Sequence, residues 1–304
     1  VKTIINKDGK AMNIKRTKGE KVFAVFNTAF LSFVSIACLY PILYVIFASL
    51  SSSKLLMRNS GLLLRPLGFN TNAYLKVFQN PMILIGYKNT IFVLVMGLAV
   101  SMVLSILGAY FLSKQGIYFK KHVMIMIIIT MYFSGGLVPK YLTVRSLGLD
   151  NSLWALILPS AISTYNMIIM RTSFSSIPRE LDEAATIDGA NQLSILLRIY
   201  IPLAKATLAV IFLYYAVGKW NSWFQASIYL RDRTKFPLQL VLREILISND
   251  TGTSIADGSM ADTEAIGLSI KYATIVVSTL PILVLYPFVQ KYFVKGVMVG
   301  SLKG

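Results

Sequence analysis

The sequence predicts an all-α integral membrane protein with six transmembrane helices, and three observations carry that prediction. Hydrophobic residues make up 55% of the 304-residue chain and charged residues only 14%. The mean hydropathy is +0.64, whereas soluble proteins sit near or below zero. Uncharged apolar stretches long enough to cross a bilayer core recur along the chain, and all 13 acidic residues fall outside them.

Taken in order, the spans are 23–50, 91–112, 123–138, 153–170, 206–230 and 273–289. The apolar part of the first far exceeds the roughly 7–15 residues of a secretory leader, so it is expected to stay as a helix. The third is short and interrupted by Ser134, Gly135 and Gly136. Irregular backbone at membrane depth is tolerated only against protein or a water-filled cavity, which places this break beside a pore. Residues 1–22 then form an N-terminal segment and 23–304 the six-helix domain.

The net charge of +17 arises from 30 basic and 13 acidic residues. In a soluble domain this would suggest nucleic acid. Here no basic stripe interleaved with aromatics lies outside the spans, so nucleic acid is set aside. Segments 1–21, 112–122, 171–205 and 291–304 hold 17 basic residues, and the longer segments 51–88, 139–152 and 230–272 hold 12. This bias puts both termini in the cytoplasm and loops 51–88 and 230–272 outside. Cys38 is the one cysteine and lies in an apolar run, which excludes an internal disulfide and argues against thiol metal sites. His122, the one histidine, follows Lys120 and Lys121 in a short basic loop, where contact with solvent or lipid headgroups is expected.

The chemistry-bearing segment lies at 171–205. Pro178 suits a first helical turn, with Glu180, Asp182 and Glu183 placing negative charge at the positive helix end. Gly189 reads as a stop that needs positive φ, and Asn191 as the cap of a second helix limited by Pro202. Ala184 and Ala185 are small enough for another surface to approach closely. Local physics alone favours an ordinary solvated connector over a docking knob.

The string Glu183-Ala-Ala-Thr-Ile-Asp-Gly189, with Ile199 and Pro202 at fixed spacing beyond it, resembles the EAA loop of permease subunits of bacterial ABC importers. Phe133-Ser-Gly-Gly-Leu-Val-Pro139, Trp220-Asn-Ser-Trp-Phe224, Pro237-Leu-Gln-Leu-Val-Leu-Arg243 and Val297-Met-Val-Gly-Ser-Leu-Lys-Gly304 are similar to the oligosaccharide branch. The likeness is greatest to maltose-type (type I) permeases for complex polysaccharides such as alginate or pectin fragments. The resemblance implies a bacterial plasma-membrane protein paired with a second permease, most simply as a heterodimer. It further implies an ATPase homodimer carrying ATP and Mg, an extracellular solute-binding protein and an oligosaccharide substrate. The coupling role falls on Glu183, Ala184, Ala185, Asp188 and Gly189. The tail, through Gly300, Ser301 and Lys303, is implied to insert between the ATPase subunits; a basic end lying on lipid headgroups is the other reading.

No cofactor is expected in this chain. Lys10 and Lys219 each follow a glycine, but neither has the second glycine or adjacent Ser/Thr of a phosphate-binding loop. Candidate sugar contacts are Tyr132, Tyr165 and Asn166 with Tyr214, Tyr215, Lys219, Trp220, Asn221, Trp223 and Gln225, because aromatic faces and amides suit sugar rings and hydroxyls. Lys219 is the single charge within a span. Two roles are open to it: snorkelling to the outer interface, or facing the pathway and pairing with a uronate. Loop 231–271 carries six acidic residues and a polar stretch, 248–258, expected to order on contact with a partner; a merely flexible connector is the other reading. Two other classes fit less well. A self-contained secondary carrier or channel lacks the intramembrane acid that couples ions. A membrane enzyme lacks any nucleophile-base or metal-ligand set.

Overall fold

The computed structural model describes residues 2–5, 11–14, 17–251, 267–284 and 287. They are helical apart from one short antiparallel pair, β1 (Lys2–Ile5) against β2 (Ala11–Ile14). This pair departs from the all-α expectation. Its strands are β-branched or alternating, and Asp8-Gly9 between them in sequence is a dipeptide that favours hairpins.

Helix α1 (Lys18–Ser49) begins earlier than hydropathy suggests, because Thr17 and Glu20 form a reciprocal capping box. The loop after it is not plain coil but contains α2 (Ser53–Arg58) and α3 (Asn72–Gln79). The second span is ten residues longer at its start than predicted. Asn80 accepts a bond from the Met82 amide and Pro81 occupies the first turn, so α4 runs Pro81–Ser113. The third span divides into α5 (Lys120–Tyr132) and α6 (Leu137–Ser146), bent by 114° across the predicted break.

The fourth span is also broken, a correction to the continuous helix expected. It holds α7 (Trp154–Ile157) and α8 (Thr164–Ser175), separated at Pro159 and restarted by Ser163, whose hydroxyl accepts from Asn166. After α9 (Arg179–Ile187) and α10 (Gln192–Ile195), the chain makes a π turn over Leu196–Tyr200 and continues as α11 (Ile201–Leu203). The π turn absorbs the donor that Pro202 lacks, so Pro202 does not end the helix as expected; the break comes at Ala204. The fifth span is α12 (Lys205–Trp220), bent by 86° from the preceding segment, plus α13 (Trp223–Tyr229). Helix α14 (Leu238–Thr251) extends into the polar stretch expected to order on contact with a partner, the rest of which, 252–258, lies outside the described residues, and α15 spans Gly267–Val284.

Helices α1, α4 and α15 are each long and apolar enough to cross a membrane, and the two bent pairs raise the number to five among the described residues. Helix α4 is the hub and packs on α7, α8, α12 and α14. Gly97, Ser101, Ser105 and Ala109 fall at four-residue intervals on one buried face, where small side chains let neighbouring helices close in. Gly86 lies against the backbone of Leu238, and the Thr90 hydroxyl accepts from the Leu238 amide at 2.8 Å. Asn89 donates to the carbonyls of Thr234 and Phe236, so α4 also holds the segment that leads into α14.

Candidate functional site

A polar cavity of about 280 Å³ lies where α12 meets the break in the fourth span. Its wall includes Ser160, Ser163, Asn166, Tyr214, Tyr215, Lys219, Ser222 and Gln225. Lys219 is 5% exposed and does not snorkel. Its stem lies on Gly97, where an added Cβ would come within 3.0 Å of Cε. Its ammonium donates to Ser160 Oγ at 2.7 Å and lies 3.3 Å from the carbonyl oxygens of Leu156, Ile157 and Ser160. The first two end the short helix α7, so the cation sits at a negative helix terminus. No carboxylate pairs with it among the described residues, so the positive charge beside the cavity is met only by these neutral oxygens. Tyr215 closes one side: its hydroxyl bonds to Ser105 Oγ at 2.7 Å and accepts from the Ser163 amide at 2.9 Å.

Among the sequence-predicted contacts, Asn166, Tyr214, Tyr215, Lys219 and Gln225 thus share one wall. The others do not join them. Trp220 is buried on another face and donates from Nε1 to the Ser278 carbonyl at 3.1 Å. Trp223 receives the Arg243 guanidinium 4.2 Å from its ring centre. Asn221 turns back to the Val217 carbonyl, while Tyr132 and Tyr165 are 76% and 55% exposed.

A second constellation surrounds α9. Gly189 has φ +77, as a helix stop requires, and Asn191 accepts from the Ser194 amide as the next cap. Glu183, Ala184, Asp188 and Gly189 are exposed, and Ala185 packs partly against the core. The helix is fastened from its inner side: Lys114, at the end of α4, pairs with Asp182 and sits 4.6 Å from the Tyr110 ring and 5.1 Å from the Tyr200 ring. Burial alone would depress the Lys114 ammonium, but the bonds to Asp182 and Tyr110 outweigh it and raise the group above the usual lysine value. Gly300, Ser301 and Lys303 lie outside the described residues.

Residues 122–299 match the family described as the binding-protein-dependent transport system inner membrane component. The chain belongs to this permease family. It is 41% identical to protein LplC of Bacillus subtilis over 95% of this chain and 97% of that one. It is 40% identical to the polygalacturonan/rhamnogalacturonan transport system permease protein YtcP of the same organism, over 93% and 99%. A chain from the crystal structure of a bacterial ABC transporter involved in import of the acidic polysaccharide alginate superposes with a TM-score of 0.84 at 33% identity, covering 92% of this chain and all of that one. The protein is therefore a permease subunit of a sugar importer, a multi-pass membrane component.

Sequence reasoning missed Ser160, Ser222 and Gly97 in this permease. Pro159-Ser160 was the available signal for the broken fourth span, but the hydrophobic run around it masked the break. Ser222 Oγ is buried with no protein partner among the described residues, and nothing in the local pattern marks it.

Proposed function

We propose that this permease carries an acidic oligosaccharide past the Lys219 cavity, driven by an ATPase that docks on α9. The observation that carries the substrate class is the ammonium of Lys219, buried beside tyrosines, an amide and hydroxyls with no carboxylate to neutralise it among the described residues. A cationic field in a low-dielectric site attracts uronates, and the aromatic and amide groups suit the rest of a sugar ring. Lys219 has three N–H donors and four nearby oxygens, so it acts through its field and by holding the wall. Relatives named for polygalacturonan and alginate point to the same substrate class.

In the full arrangement the six spans have both termini in the cytoplasm of a bacterial plasma membrane. Residues 1–22 precede the domain 23–304, and loop 171–205 faces a homodimeric ATPase that binds ATP and Mg. Glu183, Ala184, Ala185, Asp188 and Gly189 form the docking knob, supported by the exposure of all but Ala185 and by the rigid capping on both sides of Gly189. The tail, including Gly300, Ser301 and Lys303, reaches between the ATPase subunits. A second permease completes the pathway, and a solute-binding protein delivers the sugar to loops 51–88 and 230–272. Tyr132, Tyr165, Trp220, Asn221 and Trp223 serve the bundle or the partner interface in preference to this cavity.

The test is uptake by the reconstituted importer, scaled to permease in the membrane, for an acidic oligosaccharide and its carboxyl-reduced counterpart. Lys219→Met should lower uptake of the acidic sugar at least tenfold more than that of the neutral one. Equal losses for both sugars would refute the acidic-substrate reading.

A further inference from the structure

A second cavity, about 330 Å³, opens where α4 ends and α5 begins, and it is lined by four cations: Lys114, Lys120, Arg171 and Arg179. Only two carboxylates share the wall, Asp182 and Glu183, and Asp182 is already held by Lys114. The remaining cations keep donors to spare. Lys120 gives one to the Lys114 carbonyl and Arg171 gives Nε to the Leu112 carbonyl, whereas Arg179 makes no ion pair among the described residues.

Two further features call for an anion here. Helix α5 begins with Lys120, Lys121 and His122 and has no acid in its first turn, so cations crowd the positive end of a helix, where they are unfavourable. An anion at that end would relieve both the dipole and the mutual repulsion. The cavity also lies at the ends of the apolar helices α4 and α5, where the headgroup zone of a bilayer crossed by them would fall. Beside it in sequence Tyr118 and Phe119 are 89% and 73% exposed, and Phe119 is held in the left-handed region at φ +58 with its ring 5.9 Å from that of His122. An exposed aromatic pair next to a basic pocket fits the headgroup zone of a bilayer better than a protein groove.

We propose that this pocket binds the phosphate headgroup of an acidic membrane phospholipid, gripped by Lys120, Arg171 and Arg179. The site touches α9 through the Lys114–Asp182 pair, so the bound lipid would brace the docking helix from beneath. Its chemistry, a phosphate anion among three cations, is shared with free phosphate, and the experiment separates the two sources.

The complete importer, purified in neutral detergent, is titrated with phosphatidylglycerol, phosphatidylcholine or inorganic phosphate, and bound lipid is counted by native mass spectrometry. Phosphatidylglycerol should bind saturably, phosphatidylcholine should not, and equimolar inorganic phosphate should not displace the lipid. Arg179→Gln, which breaks no side-chain hydrogen bond or ion pair among the described residues, should weaken the lipid about fivefold. The triple change of Lys120, Arg171 and Arg179 to Gln should weaken it about a hundredfold. Equal retention of both lipids, or unchanged binding by the triple variant, overturns the proposal. Displacement by equimolar phosphate would make this a free-anion site. Loss of the ATPase subunit from Arg179→Gln with lipid binding intact would assign the pocket to an acidic ATPase surface. Either result overturns the lipid assignment.

Discussion

Truncating Lys219 tests how the cavity wall is held. In Lys219→Met the stem still fills the groove over Gly97, and the ammonium is lost. Leu156 O keeps a partner, because the Ser160 hydroxyl donates to it at 3.0 Å. The carbonyls of Ile157 and Ser160 each lose a donor at 3.3 Å. An orphaned buried carbonyl costs about 1–3 kcal/mol, and these long bonds belong at the lower end. The variant no longer holds an ammonium out of water, which offsets part of that loss. The expected net destabilisation is about 2 kcal/mol, or roughly 4–8 °C in Tm by the scaling of soluble domains.

A double-mutant cycle isolates the clamp. The 2.7 Å bond from Lys219 to Ser160 Oγ is charge-assisted and should contribute about 1.5–3 kcal/mol. Ser160→Ala alone should therefore cost nearly as much as Lys219→Met, and the double variant only about 1 kcal/mol more than either, because there alone Leu156 O loses both donors. Thermal unfolding of the purified complex in detergent, followed by circular dichroism, reads the three values. If the two losses add to within about 0.5 kcal/mol, the residues do not act as a unit and the clamp is wrong.

Other changes probe the remaining contacts. No atom lies near a Cβ added at Gly189, so Gly189→Val meets only the φ +77 penalty, about 1–2 kcal/mol, whereas Gly189→Asn should cost far less; ATP hydrolysis uncoupled from uptake in the first and coupled in the second is the expected pattern. Gly86→Ala would drive a methyl to 3.0 Å from the Leu238 Cα, and rigid backbone cannot yield cheaply, so a loss of about 1–3 kcal/mol is expected in unfolding assays. Lys114→Met should loosen α9 and lower substrate-stimulated ATP hydrolysis while assembly survives. Because the Lys114 ammonium is raised in the fold, its contribution is complete below the unfolded lysine value of about 10.4 and is lost only as pH climbs through the raised value. The stability gap between the unmodified protein and Lys114→Met should thus stay flat between about pH 6 and 9.

Hydropathy made the apolar helices legible, and local capping logic located Gly189 and Asn191 because both act through neighbours within three residues. What escaped depends on partners distant in sequence or on single residues that a hydropathy average hides. Lys219 reads as a lone charge until the carbonyls of α7, some sixty residues earlier, are brought beneath it. The early start of α4 rests on the cap of Asn80 and Pro81, which a hydropathy window averages away. The aromatic candidates divided for a similar reason. Composition groups Trp220 with Lys219, but neighbours on a helix point about 100° apart, so one meets the cavity and the other the Ser278 carbonyl.

Helix α4 joins the two sites and sets how motion passes between them. Gly97 receives the Lys219 stem and Lys114 grips α9, seventeen residues further on, about 25 Å along the axis. Within α4 no proline follows Pro81 and no π turn interrupts the ladder, so it lacks two of the usual places where helices kink. The alternative route runs from α9 through a π turn, Pro202 and an 86° bend before reaching α12, a path with several such places. A displacement of α9 entering through Lys114 therefore reaches the cavity as a shift of a whole rod, whereas one entering through α10 is spent in the bends. On the proposed reading, the ATPase stroke moves Gly97 beneath Lys219, and the clamp to α7 is the part of the wall that must move with it.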